Sequence, residues 1–291
     1  MSRFNIDKEA LSIPWIESPF FYPLLDNSDL SEEEKDIVTK YHEDGYVIVD
    51  LGLADDHIDL IKRDVTSEIE GGEATYQPDG YHYSDSPRVF EAWKFSRAVL
   101  DLVRNEKLLS TLELLYGRKA IPFQTINFVK GTQQPLHSDS IHFYCKPEGW
   151  MAGTWTALED VDELNGSLVY VPKSHKLPHV EFPDLNLDVP EYNEEISKYR
   201  IYEEYVDSVV NALGLTRKTL SMKKGQTIVW ASRLFHGAIP IVDESRTRWS
   251  QATHYYFENC DYYYCPMYSN RLEGQYSEKN LSEKDILNHI V

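Results

Sequence analysis

A chain of 291 residues, 42% hydrophobic and 13% aromatic, can bury a sizeable core and lacks the composition of a disordered protein. Its formal charge of -19 repels phosphate backbones and anionic membrane surfaces, and no Lys/Arg cluster reverses that field locally, which argues against nucleic-acid and membrane partners. Cys145, Cys260 and Cys265 are an odd number without CxxC spacing, so neither a disulfide framework nor a thiolate zinc site is indicated and a reducing compartment fits.

In chain order, residues 1–30 form an N-terminal extension broken by charges and by Pro14, Pro19 and Pro23, without the continuous apolar core of a signal peptide. No later stretch reaches the roughly 18 uninterrupted apolar residues of a membrane span, and the expected location is cytoplasmic. "SEEEK" opens a helix in which Ser31 and Glu34 have capping-box spacing, Ile37, Val38 and Tyr41 supply the apolar face and Gly45 ends the run. "YVIVDLGL" then reads as a buried strand. Asp55 or Asp56 starts a second helix lined by Ile58, Ile61, Val65 and Ile69. Helical spacing returns at Val99, Leu102 and Val103, and again at Leu108, Leu112 and Leu115 before Gly117, so residues 31–120 are mainly helical.

Over residues 121–258 the pattern changes to short β-prone runs, "FQTINFV", "GTWTAL", "GSLVYVP", "QTIVWA" and "WSQATHYYF", separated by Gly, Pro, Asn and Asp. That pattern predicts a sandwich or barrel. One interruption, at about residues 179–218, is acidic, rich in tyrosine and partly helical in spacing, and it reads as an inserted lid rather than a second domain. Residues 259–291 remain as a C-terminal tail. The expected architecture is one domain over residues 1–291, mainly β with flanking helices.

The chemistry concentrates in "QQPLHSDSIHFYCKP". If "LHSDS" is extended, His137 and Asp139 project to one side and Ser138 to the other. His236, in "WASRLFHGAIP" after the Gly225 turn, is the best third donor. Two histidines and a carboxylate make the facial triad that holds non-haem Fe(II) and leaves coordination positions open. Further on, "DESRTRWSQATHYYF" puts Arg248 and Ser250 on one face of a strand, a guanidinium fork and a hydroxyl suited to a carboxylate, with Arg246 as a competitor. An iron triad beside such an anchor suggests a 2-oxoacid cosubstrate.

The order of helix-G-Y-V-I-V, "HSD", "WTALEDVDELNGSLVYVPKSHK", "KKGQTIVWASRLFHG" and "RTRWS", over roughly residues 31–258, resembles the phytanoyl-CoA dioxygenase family of Fe(II)/2-oxoglutarate-dependent oxygenases. The resemblance implies a double-stranded β-helix core (jelly roll, cupin-like) with an N-terminal helical layer. It implies His137, Asp139 and His236 as iron ligands, and Arg248 pairing with the distal carboxylate of 2-oxoglutarate with Ser250 beside it. Asn127 and Thr125 would hydrogen-bond the cosubstrate, and His142 and Tyr144 would line the substrate pocket. Fe(II), 2-oxoglutarate and dioxygen are the implied cofactors. The implied reaction couples oxidative decarboxylation of 2-oxoglutarate to succinate with hydroxylation of a substrate C–H. Halogenases of related fold carry a small residue in place of the carboxylate ligand; Asp139 is present, so hydroxylation is expected. The acidity of the chain favours a neutral, zwitterionic or cationic small molecule over an acyl-CoA.

Plainer readings apply to several neighbours. His175, in "PKSHK", belongs to a turn, His254 shares inward strand parity with Arg248 and Ser250 but is read as packing, Trp155 and Trp230 belong to the core, and Cys145 is a small hydrophobe. His42, His57, His82, His179 and His289 have no partner pattern. Two other function classes compete: a non-oxidative hydrolase or isomerase using His137, Asp139 and His236 for zinc or manganese, and a non-catalytic metal-binding module. Neither needs Arg248 and Ser250. Oligomeric state is not specified by the sequence.

Overall fold

Ser31 and Glu34 form the expected capping box: the Glu34 amide donates to Ser31 Oγ (3.3 Å) and the Ser31 amide donates to the Glu34 carboxylate (2.8 Å). The computed structural model that shows this describes residues 12–72, 87–189, 195–260, 262–276, 278–279 and 285–289; His82 lies outside them. The extension before Ser31 is not peripheral. Trp15, Ile16, Phe21 and Leu25, on a 3-10 turn and on α1 (Phe21–Asp26), are buried in the main core, because their apolar area outweighs the interruptions by proline.

The helical layer continues with α2 (Glu32–Asp44), which ends at Gly45 in the left-handed conformation, and, beyond β1 (Tyr46–Asp50), with α3 (Asp55–Gly71). After β2 (Arg88–Phe90) come α4 (Arg97–Val103) and α5 (Glu106–Tyr116), whose caps are Ser96 and Asn105. These helices bury Val38, Ile58, Ile61, Val65, Leu108 and Leu112 against one face of a sheet.

That sheet has six antiparallel strands in the order β1, β8, β5, β10, β3, β2, adding β3 (Ala120–Phe128), β5 (Met151–Ala157), β8 (Gln226–Ala231) and β10 (Ser250–Phe257). Strand alternation divides its faces. On β8, Val229 and Ala231 join the helical side, whereas Ile228 and Trp230 point into the space between sheets with Trp155 of β5 and Ala252 of β10. A second sheet, β7 (Lys218–Thr219), β6 (Leu168–Tyr170) and β9 (His236–Ala238), closes that space from the other side. The two sheets with helices on one outer face make the expected jelly roll.

Two expectations change. The insertion is mainly one helix, α6 (Glu195–Ala212), whose Tyr199, Tyr202, Val206 and Val210 are buried against Leu136, Ile141 and Phe235. It therefore packs on the segment that carries His137 and Asp139. The tail supplies β11 (Tyr262–Tyr264) and β12 (Glu278–Lys279), which add to β4 (Tyr144–Lys146) in a third sheet, so part of it pairs with the body of the fold. Among the described residues no helix is long and apolar enough to cross a membrane.

Candidate active site

His137 and His236 face each other across an isolated antiparallel bridge, each amide donating to the other's carbonyl at 2.9 Å. Gly237 makes this approach possible. A Cβ there would lie 2.6 Å from the Gln134 carbonyl oxygen and 2.8 Å from that of Pro135. The chain is extended only as far as Ser138; a 3-10 turn from Asp139 to Ile141 then swings the carboxylate back toward the two rings. Local turning, rather than strand parity alone, thus brings the third ligand in. Ser138 points the other way, its hydroxyl 2.8 Å from that of Tyr202.

Ligand atoms of His137, Asp139 and His236 lie within 4.8 Å of one another, and all three residues are buried; among the described residues no other group of this kind occurs. The imidazole orientations are fixed from behind. His137 Nδ1 donates to the Pro135 carbonyl and His236 Nδ1 to the Leu234 carbonyl, both at 2.9 Å, which leaves each Nε2 lone pair facing the common centre. Asp139 Oδ1 is 3.6 Å from His236 Nε2, and Oδ2 accepts a hydrogen bond from the Trp230 indole at 2.6 Å. Burial raises the Asp139 carboxyl, but His236, His254, His137 and the Trp230 bond together hold it below the usual carboxylate range. Burial, with His236 close by, keeps His137 well below the usual histidine range. A carboxylate with a neutral imidazole beside it suits a hard-to-borderline divalent ion.

These groups open on a cavity of about 230 Å³ between the two sheets, and Arg248 lines the same cavity. Arg248 is 1% exposed. One terminal nitrogen donates to the Gly166 carbonyl (3.0 Å), the guanidinium lies 5.2 Å from the centre of the Trp155 ring, and Nε has no partner. Among the described residues no carboxylate forms an ion pair with it, and burial, then Arg88, lowers it to about 9. A buried guanidinium without a counter-charge is costly unless an anion joins it. Arg246, the competitor, is already bound to Asp162 at 2.8 Å and stays outside the cavity.

The family model for phytanoyl-CoA dioxygenase (PhyH) matches residues 41–248. The chain belongs to the phytanoyl-CoA dioxygenase family. It is 26% identical to the peroxisomal phytanoyl-CoA dioxygenase of Rattus norvegicus over 271 residues, spanning 83% of this chain and 73% of the rat protein. It is 27% identical to a probable phytanoyl-CoA dioxygenase of Caenorhabditis elegans, but there it spans only 47% of the relative. Among solved structures, the carbocyclase SnoK from nogalamycin biosynthesis superposes with a TM-score of 0.61 at 18% identity, covering 81% of this chain and 87% of SnoK. EctD from S. alaskensis, solved with 2-oxoglutarate and 5-hydroxyectoine, gives 0.58 at 16%, covering 80% and 78%. At these identities the structures share the fold.

Membership puts the chain among the Fe(II)/2-oxoglutarate oxygenases, and the structure then sorts the other residues expected at the site. His142 lines the cavity, its Nε2 3.1 Å from the Tyr199 hydroxyl, and burial lowers it to about 4. Tyr144 does not: it stacks on His179 with ring centres 4.4 Å apart, outside the cavity, because the turn at Asp139 redirects the chain before β4. Thr125 and Asn127 also point away. On β3 it is Gln124, Ile126 and Phe128 that face the cavity, so parity sends Thr125 and Asn127 to the helical side, where Asn127 donates to Gln251 (3.3 Å). Ser250 is buried with its hydroxyl 3.4 Å from the Arg248 carbonyl and does not line the cavity.

His175 is structural as expected, 3.1 Å from the His42 carbonyl and packed where a Cβ on Gly45 would sit. Three cavity residues were given no part in the site by the sequence. His254, read as packing, has Nε2 3.7 Å from Asp139 Oδ2; Trp230, read as core, bonds the same oxygen; and Gln134 Nε2 lies 3.3 Å from His137 Nε2. The even-numbered parity of His254 with Arg248 was the available signal. The tail adds Met267 and Tyr268 to the cavity wall.

Proposed function

We propose that this protein is a non-haem Fe(II)/2-oxoglutarate-dependent hydroxylase of a small molecule, with His137, Asp139 and His236 holding the metal. The observation that carries the reading is Arg248: a buried cation without an acidic partner opens on the same cavity as the triad, where a dicarboxylate bound at the metal would meet it. Dioxygen, with iron to activate it and 2-oxoglutarate as the co-reductant that leaves as succinate and carbon dioxide, would supply the oxidising power that breaks an unactivated C–H bond. The chain's own share is position. Backbone carbonyls fix both imidazoles, Trp230 fixes the carboxylate, and Phe128, Phe143 and Trp155 exclude water from the walls.

Among the described residues Asp139 is the one carboxylate lining the cavity, and Arg248 is assigned to the cosubstrate, so a neutral or zwitterionic small molecule is the substrate class retained. Cytoplasmic placement belongs to the same proposal, and the peroxisomal names of the mammalian relatives make a fluorescent fusion its direct test.

The deciding experiment is succinate formation from 2-oxoglutarate when protein loaded with Fe(II) without oxygen is exposed to air. Wild type should form succinate, while His137→Ala and Arg248→Ala should not at the same 2-oxoglutarate concentration. Equal yields from all three would overturn the proposal in favour of a non-oxidative metal enzyme or a binding module.

A further inference from the structure

Three neighbouring strands converge on the second oxygen of Asp139. Trp230 on β8 pairs with Gly153 on β5, and Gly153 pairs in turn with His254 on β10, so the three residues stand side by side on the cavity face. Gly153 leaves a gap between the two large rings. The Trp230 indole lies over it so closely that a Cβ on Gly153 would sit 2.5 Å from the indole nitrogen. From this position the indole N–H donates to Asp139 Oδ2 at 2.6 Å, and His254 Nε2 stands 3.7 Å from the same atom. Oδ1, by contrast, faces His236.

A carboxylate has two equivalent oxygens, and a free one can grip a metal with both. Here one is already committed. We infer that Trp230 is a positioning residue that holds Asp139 as a one-oxygen ligand, with Gly153 as the space that admits its indole. The inference rests on the reading of His137, Asp139 and His236 as an iron site. Its consequence is selective: the indole acts on metal affinity and coordination number without touching the cosubstrate anchor. Partners that orient a metal ligand in this way are typically worth about 10- to 100-fold in metal affinity.

The test uses the apo chain and reads metal binding rather than turnover. Fe(II), and Co(II) as an air-stable spectroscopic probe, are titrated into wild type, Trp230→Phe, and a chain carrying benzothienylalanine at position 230, which keeps the indole shape and loses only the N–H. His137→Ala is the control for the metal site. Wild type should bind one ion that His137→Ala does not bind. Both N–H-deficient chains should bind it about tenfold more weakly, with an altered Co(II) ligand-field absorption.

Wild-type affinity and Co(II) spectrum in the benzothienyl chain overturn the Trp230 inference and leave the iron site intact. If instead wild type and His137→Ala bind metal alike, the iron reading itself falls and the inference falls with it. Trp230→Phe can fail to fold, whereas the isosteric chain preserves packing, so its titration decides the matter.

Discussion

Tyr202, on the inserted helix, places its hydroxyl 2.8 Å from Ser138 Oγ, the side chain that separates the candidate metal ligands His137 and Asp139. The insertion is thereby tied to the metal segment from behind, while Tyr199, one turn earlier, reaches Gln134 (3.1 Å) and His142 (3.1 Å) on the cavity side. Tyr202→Phe leaves Ser138 and Ser140 with each other as partners, 2.9 Å apart. Denaturant titration should show a loss of about 1 kcal/mol, and metal affinity should fall only a few-fold. An unaltered denaturation midpoint would show that α6 is held by its apolar face alone.

Arg248 and Arg246 are two residues apart and should behave differently. Arg248→Lys keeps a charge but loses the fork, and should raise the 2-oxoglutarate KM by at least about tenfold. Arg246→Ala breaks a solvent-screened pair with Asp162 and should leave both stability and the KM nearly unchanged. Succinate formation over a range of 2-oxoglutarate concentrations separates the two. A larger KM effect from Arg246→Ala would transfer the anchor role to it.

Gly237→Ala is a single added methyl with a severe expected result. The new Cβ would meet the Gln134 and Pro135 carbonyls, both backbone, which have no freedom to rotate away. The His137–His236 bridge should open, with a stability loss of about 1–3 kcal/mol and loss of metal binding beyond what that stability change explains. Calorimetric titration of the folded variant with Fe(II) is the check.

The apo chain should lose stability as the solution is acidified. Burial holds His142 at about 4 and His175 at about 3, and keeps His137 and His254 below the histidine range. Each stays neutral in the fold yet takes up a proton near pH 6.5 once unfolded, so unfolding consumes protons between about 6.5 and the folded values. Stability is fully present above that window and declines below it, by roughly 1.4 kcal/mol per pH unit for each histidine engaged. Urea midpoints at pH 7, 6 and 5 measure the slope. His175→Gln should flatten it by about one proton, and an unchanged slope would remove His175 from the account.

Much of this was legible in residue order. The helices of the N-terminal third follow from capping spacing at Ser31 and apolar periodicity through Ile58, Ile61 and Val65. The strands follow from runs such as "QTIVWA", and His137, Asp139, His236 and Arg248 from short motifs whose chemistry needs those side chains. What escaped was tertiary. Thr125 and Asn127 sit one position out of phase with the cavity, and nothing local says which face of β3 meets the other sheet. Tyr144 is displaced by a single 3-10 turn at Asp139. Trp230 and His254 are ordinary strand residues until Gly153, far from both in the chain, leaves the opening in which they meet Asp139.

Met267 and Tyr268 give the cavity a wall that comes from beyond the last strand of the main sheet, whereas every ligand and the arginine anchor come from before it. The oxidising machinery and this part of the substrate's enclosure therefore occupy separate stretches of the chain. Met267 also packs with Leu136 and Ile141, which flank His137 and Asp139, so exchange of residues 268–276 between relatives, with Met267 kept, is where a change of diet could begin without a change of chemistry.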